Sequence, residues 1–97
     1  MILELDSFTF KDKDSVPGGK QAVISFGDYE LSVIKGYGAY GTKNAPYEIG
    51  VFKHGILTEM PGVTAEGDTV KGYLTISDVD AIIKKMYFLT GVSPRQL

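Results

Sequence analysis

The chain predicts an α+β domain: an antiparallel sheet of four or five strands, built from two hairpins, with one C-terminal helix packed on a face. Three observations carry this expectation. Apolar residues alternate along two consecutive segments, Ala22-Ile24-Phe26 and Tyr29-Leu31-Val33, separated only by Gly27-Asp28. A second pair of β-like segments flanks His54-Gly55. Toward the C-terminus, Val79, Ile82, Ile83, Met86 and Leu89 recur at three- and four-residue steps, the period of a helix with one apolar stripe.

Ile2 to Phe10 reads as a strand whose phase changes: Leu3 and Leu5 share one parity, Phe8 and Phe10 the other. A bulge or bend near Asp6-Ser7 reconciles them, because one extra residue flips every side chain beyond it to the other face. Lys11 to Gly19 alternates charges and ends in Pro17-Gly18-Gly19, the composition of a solvated connection. In the first hairpin a two-residue turn sets Phe26 opposite Tyr29, Ile24 opposite Leu31 and Ala22 opposite Val33, gathering six apolar groups on one face. In the second, Tyr47 to Lys53 pairs with Ile56 to Met60, with Phe52 opposite Leu57 and Val51 opposite Thr58. Gly55 supplies a positive φ there, and His54 tolerates one better than most residues do.

Pro61-Gly62 ends that strand, and Val63 to Lys71 is polar and turn-rich, with Glu66-Gly67-Asp68 as its tip. Gly72-Tyr73-Leu74 leads into the helix. Thr75 or Ser77 is placed to cap it, with Asp78 or Asp80 three residues on as the capping-box partner. Gly91 suits the left-handed C′ position, and Pro94 prevents the helix from resuming. A helix this short does not persist alone in water, so it must dock on the sheet.

Size and composition bound the rest. Residues 1–97 make one domain, near the small end of chains that fold alone, and twelve glycines are roughly twice the average share, favouring turn-rich β structure over a bundle. The absence of cysteine excludes disulfides and thiolate metal sites, which suits a cytoplasmic location. The formal charge of −2, with both signs interspersed, argues against a nucleic-acid backbone as partner. No basic n-region with an apolar stretch opens the chain, and no apolar run reaches the length of a membrane span.

One motif invites chemistry. Gly36-Tyr37-Gly38-Ala39-Tyr40-Gly41 is a G-x-G-x-x-G string between two β-like segments. A dinucleotide fingerprint needs a helix directly after the glycines, so that its N-terminal N–H groups meet the pyrophosphate. Thr42 to Pro46 and the strand-like Tyr47 to Lys53 come next instead. The segment Ile34 to Thr42 resembles the glycine-rich loop of protein kinases, which also bridges two antiparallel strands, and Ile49-Gly50-Val51-Phe52-Lys53 echoes the kinase strand bearing the nucleotide-pairing lysine. That resemblance implies phosphate contacts from Gly36, Gly38 and Gly41 and pairing from Lys53. It departs at Lys43, where the kinase loop has valine, and no H-R-D or D-F-G segment occurs.

Glycines at several loop positions also serve a connection that needs positive φ. The tyrosines favour recognition: Tyr37, Tyr40 and Tyr47, with Lys43 and Asn44, place rigid amphipathic surface on one loop. His54 is the sole histidine and serves a turn, with no partner spacing for zinc or a triad. Asp12 with Asp14, and Glu66 with Asp68, lack the spaced oxygen ligands of a calcium loop. No metal, cofactor or enzymatic activity is therefore expected.

In general style, the Tyr29-Glu30-Leu31-Ser32-Val33-Ile34 strand, the Gly/Tyr loop and Gly72-Tyr73-Leu74-Thr75 opening a C-terminal helix, the chain resembles small uncharacterised bacteriophage-encoded proteins. The resemblance implies a protein that acts by binding, as an inhibitor or modulator of a host or defence protein. The expected function is a non-enzymatic protein-interaction module using Tyr37, Tyr40, Lys43, Asn44 and Tyr47, with Glu66-Gly67-Asp68 as a further contact. The alternatives are a small nucleotide- or phosphate-binding domain using Gly36, Gly38, Gly41 and Lys53, and a structural subunit or homo-oligomer joined through Phe88 and a sheet edge.

Overall fold

The computed structural model describes residues 4–13, 19–36 and 44–97. In chain order its elements are a 3-10 turn (Leu5–Ser7), β1 (Lys11–Asp12), β2 (Lys20–Phe26), β3 (Tyr29–Lys35), β4 (Tyr47–Lys53), β5 (Ile56–Leu57), β6 (Val70–Leu74), helix α1 (Ile76–Thr90) and β7 (Arg95–Gln96). The α+β architecture is the expected one, an antiparallel sheet carrying a C-terminal helix, but the sheet has seven strands among the described residues. It is five positions wide. β2, β3 and β4 form its centre, β1 and β7 share the outer edge of β2, and β5 and β6 share the outer edge of β4.

The first hairpin has the register that alternation predicts: Phe26 faces Tyr29, Ile24 faces Leu31 and Ala22 faces Val33. Gly27 takes a φ of 75° at the turn, a region closed to most side chains, and Val92 rests against the space a Cβ would fill. The second turn has positive φ at both central residues, His54 at 52° and Gly55 at 78°, the pattern of a two-residue hairpin whose twist matches its strands. Phe52 faces Leu57 there, and the Thr58 N–H donates to the Val51 carbonyl at 2.8 Å.

The Gly/Tyr segment does more than link two hairpins. β3 and β4 pair with each other from Tyr29–Lys53 to Lys35–Tyr47, and the Gly36 N–H donates to the Pro46 carbonyl at 3.0 Å. The loop therefore closes a third hairpin, and β2, β3 and β4 run as a continuous meander. A strand, not a helix, comes after it.

Alternation in these strands assigns each residue to a face. Ala22, Ile24, Phe26, Leu31, Val33, Tyr47, Ile49 and Val51 are buried on the face beneath α1. They pack with Val79, Ile82, Ile83 and Met86 of the helix. Thr75 caps α1 by accepting from the Asp78 N–H at 3.1 Å, while Asp78 accepts from the Thr75 N–H at 2.9 Å, and Gly91 closes the other end at a φ of 70°. Leu89 keeps phase with the stripe but is half exposed, because the last helical turn leaves the cover of the sheet.

Four expectations are corrected. Residues 4–10 form no strand: the phase change at Asp6-Ser7 is a 3-10 turn, which lets Leu5 reach the core while Phe8 and Phe10 pack against it. Asp80, expected from sequence to serve the helix start, accepts the Leu5 N–H at 2.7 Å and pins that turn to α1. The segment from Val63 is not wholly polar surface, for Val63 is buried, and Thr64 Oγ1 accepts the Met60 N–H at 3.0 Å in a turn that tucks Met60 inward. The second strand of the His54-Gly55 hairpin, expected over Ile56 to Met60, is β5 over Ile56–Leu57 alone, with the Thr58 N–H to Val51 carbonyl bond as its last contact with β4.

Phe26 is fully buried at the centre of this core, so Phe26→Ala should cost about 3–5 kcal/mol in urea unfolding. Thr75→Ala removes a cap with both reciprocal bonds formed and should cost about 1 kcal/mol in the same assay.

Candidate functional site

The register that builds the core also builds a row of side chains at the loop end of the sheet. Asp12, Lys20, Lys35, Tyr47 and Leu74 stand side by side across five strand positions, on the helix-bearing face. Lys20 and Lys35 are direct cross-strand partners, and like charges so placed repel. Each has its own compensation. The Lys20 ammonium donates to Asp12, and this hydrogen bond, reinforced by the lysine's charge, holds the Asp12 carboxyl below its usual range. The Lys35 ammonium lies 5.8 Å from the centre of the Tyr47 ring, within cation–π range.

Over this row lies the N-terminal segment. Phe10 sets its ring 6.2 Å from that of Tyr47, tilted by 48°. Between them opens a cleft of about 330 Å³, lined by Leu5, Asp6, Phe8, Phe10, Lys20, Lys35 and Tyr47. Aromatic rings, two lysines and the Asp6 side chain line it, at the end of the sheet where Gly36 and Pro46 pair.

Of the residues expected to bind a partner, Tyr47 forms part of this cleft and is nearly buried, and Asn44 is exposed in the bend that re-enters β4. Tyr37, Tyr40 and Lys43 lie outside the described residues, as do Gly38 and Gly41 of the phosphate-binding alternative. Gly36 is at the mouth of the loop. Lys53 is at the far end of β4, six residues from Tyr47 or about 20 Å along an extended strand. Its ammonium sits 5.3 Å from the Tyr29 ring, so the structure does not bring it to Gly36. The lysines at the Gly36 end of the sheet are Lys20 and Lys35. Their positions result from the first hairpin's register carried beyond Ala22–Val33 to its last pair; the sequence held that signal.

A second feature lies on the opposite face of the sheet. Glu48 is partly buried, and its Oε2 is sealed from solvent with no hydrogen-bond partner among the described residues. Loss of hydration, then the nearby charge of Asp68, pushes the Glu48 carboxyl above the usual glutamate range. Glu48 faces a bulge in β6, where pairing skips from Ile49–Lys71 to Tyr47–Leu74 and Tyr73 takes a φ of 56°. Beside the bulge is a notch of about 290 Å³ bordered by Ala65, Asp68, Val70, Lys71, Gly72 and Tyr73. No pattern in the sequence marks it, because it depends on which residue of β6 is skipped.

Among the described residues no three His, Cys, Asp or Glu side chains gather in a metal-binding group, and no helix is long and apolar enough to cross a membrane. Comparison with known proteins returns no matching protein family, no matching curated protein and no matching solved structure.

Because the folded state raises the Glu48 affinity for a proton, it binds more protons than the unfolded chain in the interval above the ordinary glutamate pKa. Stability must then fall as pH rises through that interval. Glu48→Gln should flatten this part of the stability–pH curve and raise the urea midpoint at pH 7; an unchanged curve would refute the assignment.

Proposed function

We propose that this chain is a non-enzymatic protein-interaction module, an inhibitor or modulator of phage type, whose binding surface is the loop end of the sheet. The single observation that carries this reading is the cleft at the end of the sheet that Gly36 and Asn44 bound, lined by Phe10 and Tyr47 together with Lys20 and Lys35. Aromatic anchors flanked by fixed charge are what a protein interface uses for affinity and register. The charge specifies the partner's chemistry. An acidic segment bearing an apolar side chain fits Lys35, whose compensation is a cation–π contact, whereas Lys20 is already paired with Asp12. Tyr37, Tyr40 and Lys43, with Asn44, are the sequence candidates that complete this surface, since they join the two strands that end at it. A reducing, cytoplasmic setting is part of the same reading.

The lysine pair also favours a second reading, in which the cleft and loop hold a phosphate-bearing ligand such as a nucleotide, with Lys20 and Lys35 supplying the charge assigned from sequence to Lys53. Specific binding raises apparent stability by mass action, so the two readings separate in a thermal-shift series. The interaction module predicts no shift with millimolar ATP, GTP or inorganic phosphate.

A partner recovered from the native host and titrated against the purified chain tests the primary reading. Lys35→Glu combined with Tyr37→Ala and Tyr40→Ala should weaken binding at least tenfold, with the unfolding midpoint of the free protein little changed. Undiminished affinity in the folded triple variant would remove the loop end from the interaction.

A further inference from the structure

Two of the rings that line the cleft, Phe8 and Phe10, belong to a stretch that no strand ladder holds. On one side, Leu5–Ser7 is fixed by the burial of Leu5 and by its N–H on the Asp80 carboxylate; on the other, Lys11–Asp12 is fixed by pairing with β2. Between these anchors the chain becomes extended at Phe8, and Thr9 and Phe10 belong to no helix or strand. Alternation along the stretch sends Phe8 and Phe10 to the cleft and leaves Thr9 exposed.

The backbone of Thr9 is bonded all the same. Its N–H donates to Gln96 Oε1 at 2.6 Å, and its carbonyl accepts from Gln96 Nε2 at 3.3 Å. A carboxamide carries the same donor and acceptor as a peptide group, so this side chain stands in for the strand that Thr9 lacks. Gln96 is held in a fixed direction. It pairs with Ile24 in the β2–β7 ladder, which puts its side chain on the helix-bearing face. The next residue, Leu97, donates its N–H to the Val23 carbonyl at 3.0 Å, and Gln96 Nε2 also donates to the Leu97 carbonyl at 3.2 Å.

The bonds to Thr9 lie at the surface, and the two rings they support are only partly buried. Such a stretch opens locally at a lower free energy than the core beside it. Opening takes Phe10 away from Tyr47, where the ring centres now stand 6.2 Å apart, and removes one wall of the cleft. We propose that residues 8–10 are a strap that completes the cleft, and that Gln96 is the positioning residue that latches it. Its role in binding rests on the cleft being the binding surface. Only the latched chain presents Phe8, Phe10, Lys35 and Tyr47 together, so the affinity of the cleft scales with the latched fraction. By the same linkage a bound segment tightens the latch.

NMR on the full chain reads the latch with no ligand present. In Gln96→Ala the Thr9 amide should exchange with water roughly tenfold faster than in the wild type, and the Phe10–Tyr47 ring contact should weaken, while the urea midpoint changes little. Gln96→Glu keeps an acceptor for the Thr9 N–H but loses the donor at pH 7, so its exchange rate should fall between the two. Arg95→Ala, whose register partner Ser25 is on the other face, should leave the exchange unchanged. The consequence for binding is read with the peptide acetyl-Asp-Phe-Asp-amide, acidic with one apolar side chain, titrated at millimolar concentration against the Lys35 and Tyr47 resonances. Gln96→Ala should raise its dissociation constant about fivefold. Unchanged Thr9 exchange in Gln96→Ala overturns the latch, whatever the cleft binds. Faster exchange with unchanged peptide affinity overturns the strap's part in binding. A wild-type chain whose cleft resonances ignore the peptide removes the cleft as a surface for acidic segments, and the strap's part in binding with it; the exchange rates then decide the latch alone.

Discussion

The structure depends on one constraint: three seven-residue strands paired along their full length, so that every side chain in them is committed to one face. β3 lies in the middle with no free edge; slipping β2 by one residue would send Ile24 and Phe26 into water, and slipping β4 would send Ile49 and Val51. The turn at Gly27 fixes one register, the hairpin pairing from Gly36 and Pro46 onward fixes the other, and the positive φ of His54 and Gly55 ties in β5. Core, cleft and open face are then consequences of one alternation. Phe26 and Lys20 belong to the same parity of the same strand, one at the centre of the core and the other at the mouth of the cleft.

How much can be read from the residues tracks how local the physics is. The two-residue turns, the capping box at Thr75 and Asp78 and the αL residue Gly91 are decided within a few residues, and all are found where the sequence puts them. The register of the first hairpin contains more than the apolar pairs, since extending it sets Lys20 against Lys35. Features decided over long separations are hidden. Leu5 and Asp80 meet across 75 residues, and nothing near either announces the bond that turns residues 5–7 from strand to 3-10 turn. Val63 looks like loop because its neighbours are polar, but the Met60–Thr64 turn carries it inward.

The candidate site shows the same division. The residues downstream of the glycine string separate it from a helix-opening fingerprint, because Pro46 and the β-branched and aromatic residues beyond favour a strand. The lysine is another matter. Lys53 lies seven residues past Pro46 in sequence, but an extended strand converts that separation into distance, whereas Lys35 adjoins Gly36 and pairs with Tyr47. In a hairpin, residues near the loop in space are those equidistant from it along both strands, and that rule selects Lys35 with Tyr47.

Among the described residues, one face of the sheet carries the helix and the other carries none. A helix of fifteen residues is about 22 Å long and about 10 Å wide, enough to cover half the width of five strands. The turn at Leu5 with Phe8 and Phe10 covers the rest of that face, using the N-terminal segment. Nothing among the described residues is left for the other side, so its composition must tolerate water. It does so by interleaving: Gln21, Ser25, Glu30 and Glu48 separate Val23, Ile34 and Phe52. At the centre Ser32 is buried by its neighbours and accepts from Gln21 Nε2 at 2.8 Å, which satisfies a polar atom that a bare apolar face would not contain. The burial of Ser32, and of one oxygen of Glu48, is supplied by neighbouring side chains within the sheet itself and requires no second layer.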